Sequence, residues 1–262
     1  MNKQKYKWDP KLYQESSKFQ FNLALMGMEK LDFKGNERVL DIGCGNALVT
    51  IKLAEIVPKG SVVGIELSEE MYKKALMNLK ENNIQNVEIK NINILDVDYV
   101  NEFDVVFSNS AIHWIKDQGL LYKLIYRSLK KNGRIMLQTG LDKKNDLLVS
   151  LSELEKTEIV KNYIKDFTQP WFYLTKERTE EILKNNSYKN ILVEPYLYKV
   201  QFNNEDEVIN FFKAAALVPY LSKLPENRHK GLVEKFKEIY FKIIKDNKLE
   251  VKMTRVFVSA VK

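Results

Sequence analysis

Residues 39–47 read Val-Leu-Asp-Ile-Gly-Cys-Gly-Asn-Ala, and a helical pattern begins at Leu48 without any intervening loop. An apolar run that passes through a Gly-x-Gly turn straight into a helix leaves few folds open. Glycines at such a turn let the chain reverse tightly and let a ligand approach the backbone at the carboxyl end of the strand. The helix must then carry the chain back for another strand, and in one sheet that crossover is right-handed. Four further β-branched runs, at 61–66, 87–92, 103–108 and 133–139, repeat the theme, with helical patterns at 48–57, 68–82 and 119–130. Strands alternating with helices predict βαβ units on a mainly parallel sheet.

The expected fold class is therefore α/β and Rossmann-like: a mainly parallel twisted sheet of about seven strands flanked by helices. A helix over 11–30 precedes the first strand. After Thr139 the rhythm changes, with helices expected at 146–163, 176–185, 205–216 and 226–245, and strands at 190–202 and 251–261. The helical stretch before the last strand reads as a lid. A chain of 262 residues, 45% hydrophobic, is long enough for one such elaborated domain.

Charge and cysteine content narrow the setting. The net charge of +7 would help attract an anionic substrate, but the lysines are scattered among carboxylates, as over 234–245, which reads first as a solvated surface and lacks the clustering a nucleic-acid footprint requires. Residues 127–134 carry four positive charges, yet they read as the turn into the fifth strand. Cys44 is the single cysteine, which rules out an intrachain disulfide. No stretch reaches the length of a membrane span and residues 1–10 lack a signal-peptide pattern, so a cytoplasmic address without membrane association is expected. With two histidines and no ligand-spaced cluster, no metal is expected.

The ligand can be narrowed from two carboxylates. Glu66 ends the second strand, about twenty residues beyond the turn, where a carboxylate accepts hydrogen bonds from ribose hydroxyls. A dinucleotide fingerprint needs a third glycine, but that position is Leu48. Asp41, two residues before Gly43, would repel a pyrophosphate and suits a ligand carrying an ammonium and a sulfonium. Together they favour S-adenosylmethionine over nicotinamide dinucleotides. Asp41 as a turn or capping residue is the alternative.

At these residues the chain resembles the class I S-adenosylmethionine-dependent methyltransferases. Asp41-Ile42-Gly43-Cys44-Gly45 resembles their first motif and Val63-Gly64-Ile65-Glu66-Leu67-Ser68 their second, with Ala47 where a third glycine is usual. Ile92-Asn93-Ile94 falls where the family carries an acid for the adenine amino group; Asn93 can still accept, and Asp96 ranks second for that role. Residues 103–114 are similar to the fourth-strand segment, ending Ser108-Asn109-Ser110-Ala111-Ile112-His113-Trp114. The resemblance implies donor contacts from Asp41, Gly43, Cys44, Gly45, Glu66, Leu67, Asn93, Ile94, Ser108 and Asn109, with S-adenosylhomocysteine as product. It also implies a single methyltransferase domain over 1–262, with an N-terminal helical cap (1–33), a donor-binding core (34–140), a helical connection (141–187) and a lid insertion (203–248).

Trp8-Asp9-Pro10 with Tyr13, Ser108-Asn109 followed by His113-Trp114, and Trp171-Phe172-Tyr173 resemble carboxyl methyltransferases, such as those acting on trans-aconitate, malonyl carrier protein and juvenile-hormone acid. This implies O-methylation of a small, anionic carboxylic acid. Tyr13, Ser17, Gln20, His113, Trp114, Trp171 and Tyr173 are the candidate acceptor pocket, the aromatics among them also fitting a core role. His113 is the candidate catalytic residue: a base if the acceptor is a hydroxyl, a hydrogen-bonding ligand if it is a carboxylate, or a packing residue. His229, between Arg228 and Lys230, is assigned nothing. An RNA or protein methyltransferase, and a non-catalytic S-adenosylmethionine-binding protein, are the competing classes.

Overall fold

The computed structural model describes residues 18–141, 145–165, 167–244 and 248–262. Seven strands form one sheet in the order β3-β2-β1-β4-β5-β7-β6. They are β1 (Arg38–Ile42), β2 (Ser61–Ile65), β3 (Val87–Lys90), β4 (Phe103–Asn109), β5 (Leu129–Gly140), β6 (Lys189–Gln201) and β7 (Glu250–Val261). β1 pairs in parallel with both β2 and β4, β2 with β3, and β4 with β5, whereas β7 runs antiparallel to β5. The α/β expectation and its strand count hold, with the sheet mixed through β7.

The central strands read as continuous apolar runs because both of their faces are covered. Val39, Leu40, Val105, Val106 and Phe107 have no exposed surface. The covering helices are α1 (Lys18–Glu29), α2 (Leu48–Ile56), α3 (Glu69–Glu81), α4 (Gln118–Ser128) and, further on, α7 (Lys176–Asn185). On α1, Gly27 lets the helix close on the sheet: a Cβ there would stand 3.4 Å from Met136 and 3.5 Å from Phe107. After β1 the chain turns to β2 on one side, and β4 lies on the other. Strand order reverses at β1, and this switch point opens a crevice at the carboxyl ends of the strands.

Three local departures from the sequence pattern have physical causes. β5 starts at Leu129, not at 133, because residues 130–133 are carried in a register shift opposite Phe103–Val105. The helix expected over 146–163 breaks into α5 (Asp146–Glu155) and α6 (Glu158–Lys161), where the Thr157 hydroxyl donates to the Leu154 carbonyl at 2.5 Å. Between α8 (Glu205–Lys213) and α10 (His229–Ile243) a short helix, α9 (Val218–Leu221), starts with Pro219 in its first turn, where the missing N–H costs nothing.

The chain divides into two compact units. One combines residues 17–142, 171–196 and 255–262 and holds the sheet's carboxyl-end crevice; the other combines 1–16, 143–170 and 197–254. The second unit has its own apolar centre, in which Phe212 packs edge-on to Phe236 and Tyr240, and Phe167 lies 4.3 Å from Tyr220. The Tyr220 hydroxyl donates to Glu155 at 2.6 Å. Among the described residues, no helix is long and apolar enough to cross a membrane.

Candidate active site

The turn after β1 is built around Gly43, which no other residue could replace without movement. Gly43 has φ +71, and a Cβ on it would stand 2.2 Å from the Ala111 methyl. Its N–H and that of Cys44 both donate to the Ile65 carbonyl, at 2.8 and 3.1 Å, extending the β1–β2 ladder into the turn. Gly45 (φ +57) and Ala47 (φ 65) are also left-handed, and Ala47 starts α2 with no side-chain cap. Ala47 stands where the family's third glycine is usual, and its side chain is fully buried. Cys44 is buried beneath the turn against Gly64, where a Cβ would come within 3.0 Å of its sulfur; burial pushes its thiol pKa well up.

Two carboxylates flank this turn. Asp41 is buried, accepts a hydrogen bond from the Thr50 hydroxyl at 2.7 Å, and has its pKa pushed up to about 7. Burial is the main cause, the Thr50 hydrogen bond opposes it, and the negative charge of Glu66 adds to it. Glu66 accepts from the Gly45 N–H at 2.9 Å with one oxygen and from the Ser68 N–H at 2.8 Å with the other. Its pKa is raised by burial, which outweighs these backbone hydrogen bonds. Leu67 beside it is 52% exposed, an apolar side chain turned outward at the rim.

The remaining candidates fall into three situations. Asn93 begins the short 3-10 turn Ile94–Asp96, with its side-chain oxygen already accepting from the Leu95 N–H at 3.0 Å, while Ile94 is buried in the core and Asp96 is exposed. Ser108 is fully buried and its hydroxyl donates to the Ile42 carbonyl at 2.8 Å, bracing the glycine turn from β4. Asn109 donates through Nδ2 to the Gln20 carbonyl at 3.0 Å, tying α1 to the end of β4. Among the described residues, Gln20 Oε1 and Asn109 Oδ1 are then both buried without a hydrogen-bond partner, which native interiors seldom tolerate. Tyr13, Ser17 and the Trp8-Asp9-Pro10 segment lie outside the described residues.

His113, Trp114, Trp171 and Tyr173 are brought together although about 60 residues separate the two pairs. The His113 ring stacks on Tyr173 at 5.1 Å and lies 5.6 Å from Trp114, and Trp114 meets Trp171 edge-on at 5.8 Å. The Phe172 N–H donates to the His113 carbonyl at 2.7 Å, and Tyr173 lies so close over Gly140 that a Cβ there would sit 2.4 Å from its ring. His113 Nδ1 is 3.0 Å from the Thr139 hydroxyl. Its pKa is held well below 6.5, chiefly by burial and further by the charge of Arg255. His229 belongs to the other unit, where its Nε2 is 3.1 Å from the Leu224 carbonyl.

Four residues escaped the sequence reading: Thr50, Ser110, Gln138 and Arg255. Thr50, nine residues from Asp41, shares no motif with it, and only the turn of α2 brings its hydroxyl within reach. Gln138 and Arg255 are 117 residues apart and meet only through the antiparallel β5–β7 pairing. A charged residue in the otherwise apolar run 255–258 was the one available signal.

A glycine turn at the switch point thus lies between two carboxylates of raised pKa, and an aromatic cluster follows the end of β4. The methyltransferase domain family matches residues 33–194. The chain belongs to that family and is a class I S-adenosylmethionine-dependent methyltransferase. It is similar to juvenile hormone acid O-methyltransferase from Bombyx mori, with 28% identity over 91% of this chain and 86% of the relative. Trans-aconitate 2-methyltransferase from Deinococcus radiodurans is 27% identical over 71% of this chain and 72% of its own. Among solved structures, the fold is similar to a Haemonchus contortus phosphoethanolamine N-methyltransferase in complex with S-adenosyl-L-methionine. That match has a TM-score of 0.64 and 24% identity, and it covers 97% of this chain but 56% of the longer protein.

Proposed function

We propose that this methyltransferase transfers the methyl group to the carboxylate of a small molecule, giving a methyl ester. The observation that carries the reading is the state of His113. An alcohol must lose its proton during transfer, and the histidine beside the end of β4 is buried, stacked and held well below its ordinary pKa, so it is a feeble base. A carboxylate is already ionised at neutral pH and asks for no base. The aromatic cluster is suited to an apolar body behind such a head group. Of the three similar proteins named above, the two matched by sequence are, by name, methyltransferases of organic acids, in keeping with this choice, and the solved structure is that of an N-methyltransferase.

The residues present fit the donor. Glu66 would take the ribose hydroxyls with the lone pairs that Gly45 and Ser68 leave open, and Leu67 would lie on the adenine. Asn93 would accept from the adenine amino group with its second lone pair. The unpartnered oxygens of Gln20 and Asn109 suit an ammonium, which donates and never accepts, and Asp41 supplies the compensating charge. When bound, S-adenosylmethionine supplies a methyl group on a sulfonium, already activated for displacement by an incoming nucleophile. The chain's own contribution is to align acceptor and methyl, exclude water and place charge.

Asp41 makes donor affinity pH-dependent. With its pKa near 7 in the free protein, it is largely protonated below that value, and a cation must displace the proton to bind. S-adenosylmethionine affinity should therefore rise with pH through about 7 and level off above it, falling by up to about tenfold per unit on the acid side. Titration calorimetry in two buffers of different ionisation enthalpy should register proton release at pH 6.5, and Asp41→Asn should abolish it. Release unchanged in the variant would place the titrating group elsewhere.

The acceptor is tested by incubating the protein with methyl-labelled S-adenosylmethionine and octanoate, dodecanoate, hexadecanoate, succinate, citrate or trans-aconitate, alongside the matching alcohols and amines. Label should pass to an acid. On that acid, His113→Gln should cost less than about tenfold in kcat, the scale of one hydrogen bond. A loss of about 10²–10⁴ with a profile rising through a histidine pKa would instead mark a general base.

A further inference from the structure

His113 sits in the 3-10 turn Ile112–Trp114 just past β4, and α4 clasps that turn. Gln118 Nε2 donates to the Ile112 carbonyl at 2.8 Å and to the Ile115 carbonyl at 2.7 Å. With the His113 carbonyl already taken by Phe172 and the ring stacked on Tyr173, the edge of the imidazole is left for polar partners. On that edge Nδ1 meets the Thr139 hydroxyl of β5 at 3.0 Å, and Nε2 has no hydrogen-bond partner among the described residues. His113 and Thr139 are both buried, and both line a cavity between β5, β7, α4 and α7, with Gln118, Leu174 and Thr179 around it.

A neutral imidazole carries one proton, and its hydrogen bonds decide which nitrogen holds it. The ring is neutral here because burial, aided by the charge of Arg255, holds its pKa well below 6.5. If Nδ1 held the proton it would donate to the Thr139 oxygen. The threonine proton would then lack an acceptor, and Nε2 would lack a donor. If Nε2 holds the proton, the Thr139 hydroxyl donates to Nδ1 and both groups are satisfied. One polar group is then left over instead of two, and buried polar groups are seldom left unpaired. The group left over is an N–H, which calls for an oxygen. A carboxylate can give one oxygen to this N–H while the other attacks the methyl group. An amine nucleophile has a single lone pair, which the same N–H would engage.

We infer that Thr139 is a positioning residue that fixes His113 as its Nε2–H tautomer, and that this N–H donates to the acceptor's carboxylate. The acceptor contact rests on the carboxyl-acceptor reading above, whereas the tautomer follows from the Thr139 geometry. His113 then holds the substrate without taking a proton from it, and β5 sets which edge of the ring is the donor.

The test uses the full chain labelled with ¹⁵N-histidine. The chain has two histidines, so its proton–nitrogen correlation spectrum holds two rings, and His113→Gln shows which is which. At neutral pH the His113 ring should show a protonated Nε2 and a bare Nδ1. Thr139→Val, which keeps the branched shape and deletes the hydroxyl, should mix or reverse the tautomers, and Thr139→Ser should keep the wild-type pattern. On whichever acid of the panel is turned over, Thr139→Val should raise the acceptor KM about three- to tenfold, the scale of one hydrogen bond. Its S-adenosylhomocysteine affinity should be unchanged, and Thr139→Ser should restore the KM. A protonated Nδ1 in wild type, or a Thr139→Val protein with wild-type tautomer and KM, overturns the inference whatever the acceptor. A changed tautomer with an unchanged KM removes the acceptor contact. If wild type methylates alcohols or amines and no acid, the carboxyl reading fails and that contact with it, while the spectrum still decides the tautomer. If Thr139→Val does not fold, wild type decides: the bound acid should shift the His113 Nε2–H resonance and leave His229 in place, and an unmoved resonance contradicts the contact.

Discussion

Gly43→Ala is expected to be the most damaging single substitution in the site. Two costs add at this position. The residue sits at φ +71, a conformation that costs an L-residue roughly 1–2 kcal/mol. The new methyl would also stand 2.2 Å from the Ala111 methyl, forcing a backbone shift worth a further ~1–3 kcal/mol. Because the Gly43 and Cys44 N–H groups hold the turn to Ile65, the shift propagates to Gly45 and so to Glu66. Urea denaturation should show a loss of about 3 kcal/mol in stability, and calorimetry should find no S-adenosylhomocysteine binding. Pairing the change with Ala111→Gly removes the clash but not the dihedral strain, so the double variant should regain about half of the lost stability. A Gly43→Ala protein with wild-type stability and binding would show that the turn has slack the geometry does not reveal.

Glu66→Ala follows in size. The carboxylate has two tasks, holding the Gly45 and Ser68 N–H groups and, in the proposed complex, accepting from the ribose. Its removal should weaken S-adenosylhomocysteine binding by about 1.5–3 kcal/mol, or ~10–150-fold. Glu66→Gln keeps one acceptor oxygen and the side-chain shape, and should lose less than the alanine variant. Removing this charge also relieves the repulsion on Asp41, so in both variants the pH dependence of S-adenosylmethionine binding should move to lower pH. Affinity unchanged in Glu66→Ala would exclude Glu66 from the donor site.

What the sequence disclosed, and what it withheld, follows the range of the interactions concerned. The strand–turn–helix at 38–56 is local: β-branched residues, two glycines and an immediate helix specify it within nineteen residues, and β1 spans Arg38–Ile42. Glu66 was equally legible, because one crossover fixes its distance from the turn. The aromatic cluster could be named from short motifs, but its assembly depends on the Phe172–His113 backbone hydrogen bond and on Gly140 making room for Tyr173. Ser108 resembled a ligand contact, yet a serine inside a fully covered strand must satisfy its hydroxyl internally, and it does so on Ile42. Thr50 was hidden within the apolar pattern of α2. Arg255 was hidden because its meaning lies in partners 117 and 145 residues away.

The carboxyl-acceptor reading stands or falls most directly on the bond that holds the transferred methyl group. With methyl-labelled S-adenosylmethionine and the acid panel, the labelled product should be a methyl ester, and mild alkali should release its label quantitatively as methanol. A labelled product that survives the same alkali, carrying its methyl on oxygen as an ether, on nitrogen or on carbon, would contradict the account.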